Sequence, residues 1–239
     1  MNMIKNLVIA GLVSSYAGLA QAENDWHLAI DWGVQSPDTS ARLSKGSAST
    51  IDNSLYEGSP TFDYDDSSTV VGIAMGRAIK QNLRAELELR QRKSTATKRI
   101  LNGSGVRATD TFQLDSSLKS TSLMLNGLVP ISPAGNLTPY LKAGVGVTRH
   151  QTAAALTASI NAFGIPASAA NPYPKKTENK FTWALGAGLA WTISPHTALE
   201  LEYQYIDMGK ASTAADSFSD TVEVDTQGHE LTAGLSYRF

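Results

Sequence analysis

Apolar residues recur at every second position in eight separate segments, and this period constrains the fold more than any other feature. In "WHLAIDWGVQ", Trp26, Leu28, Ile30, Trp32 and Val34 share one parity, while His27, Ala29, Asp31 and Gly33 share the other. "FTWALGAGLAWTI" sets Phe181, Trp183, Leu185, Ala187, Leu189, Trp191 and Ile193 against Thr182, Ala184, Gly186, Gly188, Ala190 and Thr192. The same alternation runs through "TVVGIAMGRAI", "LRAELELRQR", "STSLMLNGLV", "PYLKAGVGVT", "ALELEYQYID" and the terminal "HELTAGLSYRF". Successive side chains of a strand point to opposite faces, so strict period two predicts strands. "LRAELELRQR" contains good helix formers, but its apolar residues miss the i, i+3, i+4 spacing of a helix, and the period decides.

The links between these segments alternate in length. Short ones fall near Lys80–Asn82, at "PISPAGN" and at "SPHT", all with turn-forming residues. Long ones fall at about 36–67, 94–113, 150–180 and 208–228. Three short turns on one side and four long loops on the other predict an all-β fold: an eight-stranded, antiparallel, up-and-down barrel with both ends on the short-turn side. The chain stops inside its last alternating segment, at Phe239. Closure explains this, because a last strand paired to the first has no free edge.

Which face is wet decides between a soluble and a membrane barrel. The non-apolar parity is rich in Gly, Ala, Ser and Thr, which suit the crowded interior of an eight-stranded barrel better than a solvated face. Seven aromatics on the apolar parity, Trp26, Trp32, Trp183, Trp191, Tyr205, Tyr237 and Phe239, lie near the ends of the expected strands. They predict two interfacial girdles around a transmembrane barrel. A secreted, lipocalin-like barrel would not expose so many tryptophans. "MNMIKNLVIAGLVSSYAGLAQA" has a basic start, an apolar run and an Ala20-Gln21-Ala22 cleavage pattern. It reads as a signal peptide over residues 1–22, leaving a barrel domain at 23–239 in the outer membrane of a Gram-negative cell. A formal charge of −2 gives no reason to expect nucleic acid, and the chain has no cysteine for disulfides or thiolate metal sites.

"PYLKAGVGV", "WALGAGLAW", "LELEYQYIDMG" and "GLSYRF", in this order and spacing, resemble the opacity-type outer-membrane β-barrel family. The resemblance spans roughly residues 26–239. It implies a monomeric surface protein in contact with outer-membrane lipid and lipopolysaccharide. It also implies insertion by the outer-membrane assembly machinery through the C-terminal strand, and loops that meet a host or cell-surface ligand. A low-conductance path for small or apolar solutes is the alternative. A lipid-modifying enzyme is a more remote one, because none of His27, His150, His196 and His229 gives the H-x-S pattern of the lipid A deacylase barrels.

The expected lumen set is Asp31, Arg84, Glu86, Glu88, Arg90, Lys142, Glu200, Glu202 and Arg238, four positive and five negative charges. Charges in so narrow a barrel must be paired or hydrated, which predicts a salt-bridge plug, with Glu200 and Arg238 as one pair near the periplasmic end. No catalytic residue, metal site or cofactor is expected. In the loops, Asp63, Asp65 and Asp66 read as a solvated acidic stretch. Lys93, Lys98 and Arg99 sit just beyond the membrane edge, within reach of lipopolysaccharide phosphates. The uncharged segment at 150–180, with Ile160, Phe163 and Ile165, is expected to be a loop that covers the mouth, forms a short helix or offers an apolar contact.

Overall fold

The computed structural model describes residues 26–37, 40–44, 62–63, 68–80, 83–101, 111–131, 134–162, 165–215 and 221–239. The expected signal peptide, Asp65 and Asp66 lie outside them. Ten strands form one antiparallel sheet: β1 (Trp26–Pro37), β2 (Ser40–Ser44), β3 (Phe62–Asp63), β4 (Ser68–Lys80), β5 (Leu83–Leu101), β6 (Thr111–Pro130), β7 (Leu137–Ala162), β8 (Ile165–Ser194), β9 (Thr197–Ser212) and β10 (Thr221–Arg238). Eight of them, β1 and β4 to β10, pair in sequence order, and β10 returns to β1 from His27↔Arg238 to Pro37↔Gly228. The ring is closed. The β2–β3 pair is an addition at its upper end, where β2 takes over the edge of β10 at Ala41↔Val224, just beyond the point where β1 leaves it.

In β4 to β10 even-numbered residues point inward and odd-numbered ones outward through the apolar band, and in β1 the parity is reversed, with His27, Ala29 and Asp31 inward and Ile30, Trp32 and Val34 outward. The outward set is strongly exposed, with Trp32 and Phe181 both at 66% and Leu125 at 59%. Such a continuous apolar belt has no counterpart on a water-soluble monomer. Along β8 the belt runs from Phe181 to Ile193, roughly 30 Å along the barrel axis for strands tilted near 40°. That matches the hydrocarbon core of an outer membrane. Below it Trp26 carries the Arg77 guanidinium 5.9 Å from its ring, and Tyr237 stacks on Phe239 and His196. Within the belt, toward its outer end, Trp183, Tyr205, His229 and Tyr203 form a run of ring contacts at 5.3–5.7 Å.

The strands do not stop at the membrane, and here the expected loops need correcting. The segment at 150–180 is neither helix nor open loop over its described residues: β7 continues to Ala162 and β8 begins at Ile165. Strand pairing likewise fills most of 94–113 and part of 208–228. Hydropathy alternation fades above the membrane because neither face there meets lipid. The backbone ladder persists because each strand continues the template set by its neighbour. Two bulges adjust this upper wall. One lies in β8 between Tyr173 and Lys176. The other lies in β9 at Gly209, whose φ of +76° is a conformation that glycine adopts without strain.

Candidate functional site

The lumen has three levels. At the periplasmic end lies an open vestibule of about 500 Å³, lined among others by His27, Arg84, Tyr140, His196, Glu200 and Arg238. Above it is a layer of charge. Lys142 Nζ lies 2.6 Å from Glu88, 2.9 Å from Glu202 and 3.9 Å from Glu86. Arg90 reaches Asp31, Glu88 and Glu230 at 3.2 Å and Glu202 at 3.4 Å. Arg92 binds Glu230 through Nε and, at 3.0 Å, through Nη2, while its Nη1 donates to Ser122. Neutral groups finish the layer: Asn126 donates to Glu88, Tyr140 to Glu202 and Gln204 to Glu230, and His27 Nε2 lies 3.0 Å from Glu86. A second cavity of only about 20 Å³ lies among these groups, room for about one water.

The third level closes the barrel. Met124, Ala184, Ile206 and Met208 form a buried apolar cluster. A hydroxyl ladder, Ser122 to Thr148 at 2.7 Å and Thr148 to Thr182 at 2.5 Å, crosses β6, β7 and β8 beside it. Val70, Val222, Val224 and Ala211 are fully buried higher still. Small residues on the inner face make room for the large ones: a Cβ at Gly188 would collide with the Tyr140 ring.

Of the nine expected lumen residues, Asp31, Glu86, Glu88, Arg90, Lys142 and Glu202 meet in the charged layer. Arg84, Glu200 and Arg238 line the vestibule instead. The expected Glu200–Arg238 pair does not form. Glu200 sits opposite Gly234, two inward positions above Arg238, and takes its hydrogen bond from Ser236. Arg92, Glu230, His27, Tyr140, Gln204 and Asn126 belong to the network without having been expected there. All share the inward parity of their strands, odd in β1 and even in the others, which was the available signal.

At the rim above the membrane, Glu178 joins β8 to β9. It accepts from the Ser212 amide at 2.6 Å and pairs with Lys180 at 3.1 Å and Lys176 at 3.5 Å. Partial burial opposes the charged form, but the hydrogen bonds from Lys180 and Ser212 outweigh it and hold the carboxyl below its ordinary value. The side chains of Lys98, Arg99 and Asp63 lie outside the described residues, as do those of Ile160 and Ile165 and the whole of Phe163. Among the described residues no group of three or more histidines and carboxylates is arranged to hold a metal.

The solved structure of OprG from Pseudomonas aeruginosa superposes with a TM-score of 0.57 at 18% identity, covering 90% of this chain and 96% of that one; it shares the fold. In sequence, the chain is 26% identical over 250 aligned residues to a Rickettsia typhi protein named "Putative adhesin RT0816", covering 98% of this chain and 99% of that one. It is 25% identical over 134 residues to outer membrane protein PagN of Salmonella typhimurium, a match spanning about half of each chain (54% and 53%). The family model described as "Outer membrane protein beta-barrel domain" matches residues 7–239. With its closed ring, apolar outer belt and polar lumen, this chain belongs to the outer-membrane β-barrel protein family and resides in the outer membrane.

Proposed function

We propose that the barrel is an anchor and that its activity lies in the strand extensions and loops above the membrane, which make adhesive contact with another cell surface. One observation carries this reading: the lumen is filled by an ion-pair layer and an apolar cluster, while the wall continues far beyond the lipid. From Val147, the last lipid-facing residue of β7, to Ala162 the strand climbs roughly 35–40 Å more. A wall of this height serves little purpose in a channel whose interior is closed. The adhesin name carried by the Rickettsia relative along nearly its whole length supports the same reading.

A catalytic role has less support. His150 Nε2 donates to the Met208 carbonyl, which leaves Nδ1 to accept from Ser120 Oγ at 2.9 Å. That serine–histidine contact is sealed, with His150 at 0% and Ser120 at 2% exposure, so no substrate reaches it. The test is display of the chain on a non-adherent bacterial host and counting of bacteria bound to cultured epithelial cells. A second strain carries a short turn in place of residues 153–174. Adherence that depends on this hairpin supports the reading, and equal adherence by the two strains and the empty host would defeat it.

A further inference from the structure

The vestibule at the periplasmic end has no part in the plug above it. At about 500 Å³ it falls within the size range of small-molecule sites. It ends blind, because the charged layer and the Met124–Met208 cluster close the lumen above it. A solute that enters from the periplasm is held and released there, not passed on.

Charge is sorted by sign along its axis. Arg84 and Arg238 line the vestibule alone, whereas Glu200 lines both the vestibule and the small cavity inside the charged layer, so Glu200 stands at the inner end. The strands agree: Glu200 pairs with Gly234, two inward positions above Arg238, and Arg84 lies one inward position below Glu86. Behind Glu200, carboxylates outnumber permanent cations in the charged layer. The vestibule therefore runs from a cationic mouth to an anionic floor.

The two mouth arginines also differ from the other inward ones. Arg90 and Arg92 are neutralised by carboxylates of the layer. Among the described residues neither Arg84 nor Arg238 has a carboxylate at ion-pair distance. Glu200 lies in the field of Arg84 but takes its hydrogen bond from Ser236. Two guanidinium forks and one carboxylate thus face a single open space.

We infer that the vestibule binds a short acidic peptide with a free amino terminus. The peptide's ammonium group reaches Glu200 at the floor, and its carboxylates meet Arg84 and Arg238 at the mouth, where the planar guanidinium matches a carboxylate fork to fork. Thr138 and Thr192 offer hydroxyls to the peptide group between them. The order of charge fixes the orientation, amine inward. A simple dianion would satisfy the arginines but set its remaining charge or bulk against Glu200 and the carboxylates behind it. The vestibule opens on the opposite side of the membrane from the proposed adhesive contact, so this inference is independent of it.

The test is calorimetric titration of the full barrel in nanodiscs with the dipeptide alanylglutamate, which carries one ammonium and two carboxylates. N-acetyl-alanylglutamate, alanylglutamine, glutarate and inorganic phosphate are the comparison probes. Wild type is expected to bind alanylglutamate saturably and at least tenfold more tightly than each of the others. Arg84→Gln/Arg238→Gln should weaken the dipeptide at least tenfold, and Glu200→Gln should abolish the preference for the free amine over the acetylated form. Heat-dependent gel mobility confirms that each variant is folded, and neither arginine has an ion pair whose loss would unfold the barrel. Absence of saturable binding at millimolar dipeptide would overturn the proposal, as would binding that survives Arg84→Gln/Arg238→Gln. Equal affinity for glutarate or phosphate would make the vestibule a general anion site and also overturn it.

Discussion

Replacing Lys142 by Met tests whether the lumen is plugged by ion pairs or merely decorated with hydrated charges. Met matches the length of the lysine stem but donates nothing. The charged layer holds five carboxylates, Asp31, Glu86, Glu88, Glu202 and Glu230, around three permanent cations, Arg90, Arg92 and Lys142. Removing Lys142 leaves two cations for the five. Glu88 keeps Arg90 and Asn126, and Glu202 keeps Arg90 and Tyr140, but both lose their shortest contact. Breaking a buried pair from one side costs about 3–5 kcal/mol. The vestibule directly below admits water toward this layer, so the lower end, about 3 kcal/mol, is expected. Urea unfolding of the barrel in lipid vesicles, followed by tryptophan fluorescence and heat-dependent gel mobility, measures the cost. Combining Lys142→Met with Glu202→Gln removes one charge of each sign and should recover about 1–3 kcal/mol relative to additivity. A cost below about 1 kcal/mol, fully additive with Glu202→Gln, would mean that water screens these groups and the plug is misconceived.

Planar-bilayer recordings should show no unitary conductance for the wild-type barrel, and stable channels would contradict a closed third level. Ile206→Ala, at a fully buried position in the Met124–Met208 cluster, should cost about 2–4 kcal/mol in the same unfolding assay; a cost below about 1 kcal/mol would mean the cluster is loosely packed. Gly188→Val should displace Tyr140 from Glu202 and cost about 1–3 kcal/mol by overpacking, whereas an unchanged urea midpoint would show that the ring has room to move. At the rim, the depressed Glu178 carboxyl contributes stability that is fully present above its unfolded value, near 4.5, and is lost as pH falls through its lower folded value. The protection factor of the Ser212 amide, taken against the intrinsic exchange rate at each pH, should therefore fall as pH drops through the lower folded value, and Glu178→Gln should flatten the dependence.

Parity made most of the membrane section legible. The outward apolar residues and the inward Asp31, Glu86, Glu88, Arg90, Lys142 and Glu202 follow from period two alone, because a ladder cannot place neighbouring residues on the same face. Depth was not legible in the same way. Glu200 and Arg238 are inward and close to one end of their strands, yet the register sets Glu200 against Gly234, and the pair misses by two inward steps. A shift of this size is fixed by how the ring closes, through β1 against β10, and no local pattern encodes it. Arg92 and Glu230 were overlooked for a related reason. Each lies near the expected upper end of its strand, and without knowing how far the ladder continues, such a residue reads as belonging to a loop.

The same distinction explains where sequence stops informing function. Inside the lipid belt each position has one solvent on one side, so residue type reports orientation. Above it β7 and β8 carry Ala, Thr, Ser and Asn on either parity, and the alternation that announces a strand is gone although the strand is not. A barrel that closes its interior with Lys142, Arg90 and Arg92 has a rigid base from which such strands can project without an apolar core of their own. Freed from the need to pack, the projecting residues are free to diverge toward a partner. The part of the chain that speaks least clearly about its fold is therefore the part where the proposed contact is made, and removal of residues 153–174 should abolish adherence while leaving the urea midpoint of the membrane section unchanged. A midpoint that falls with the hairpin would show that the extensions support the barrel rather than ride on it.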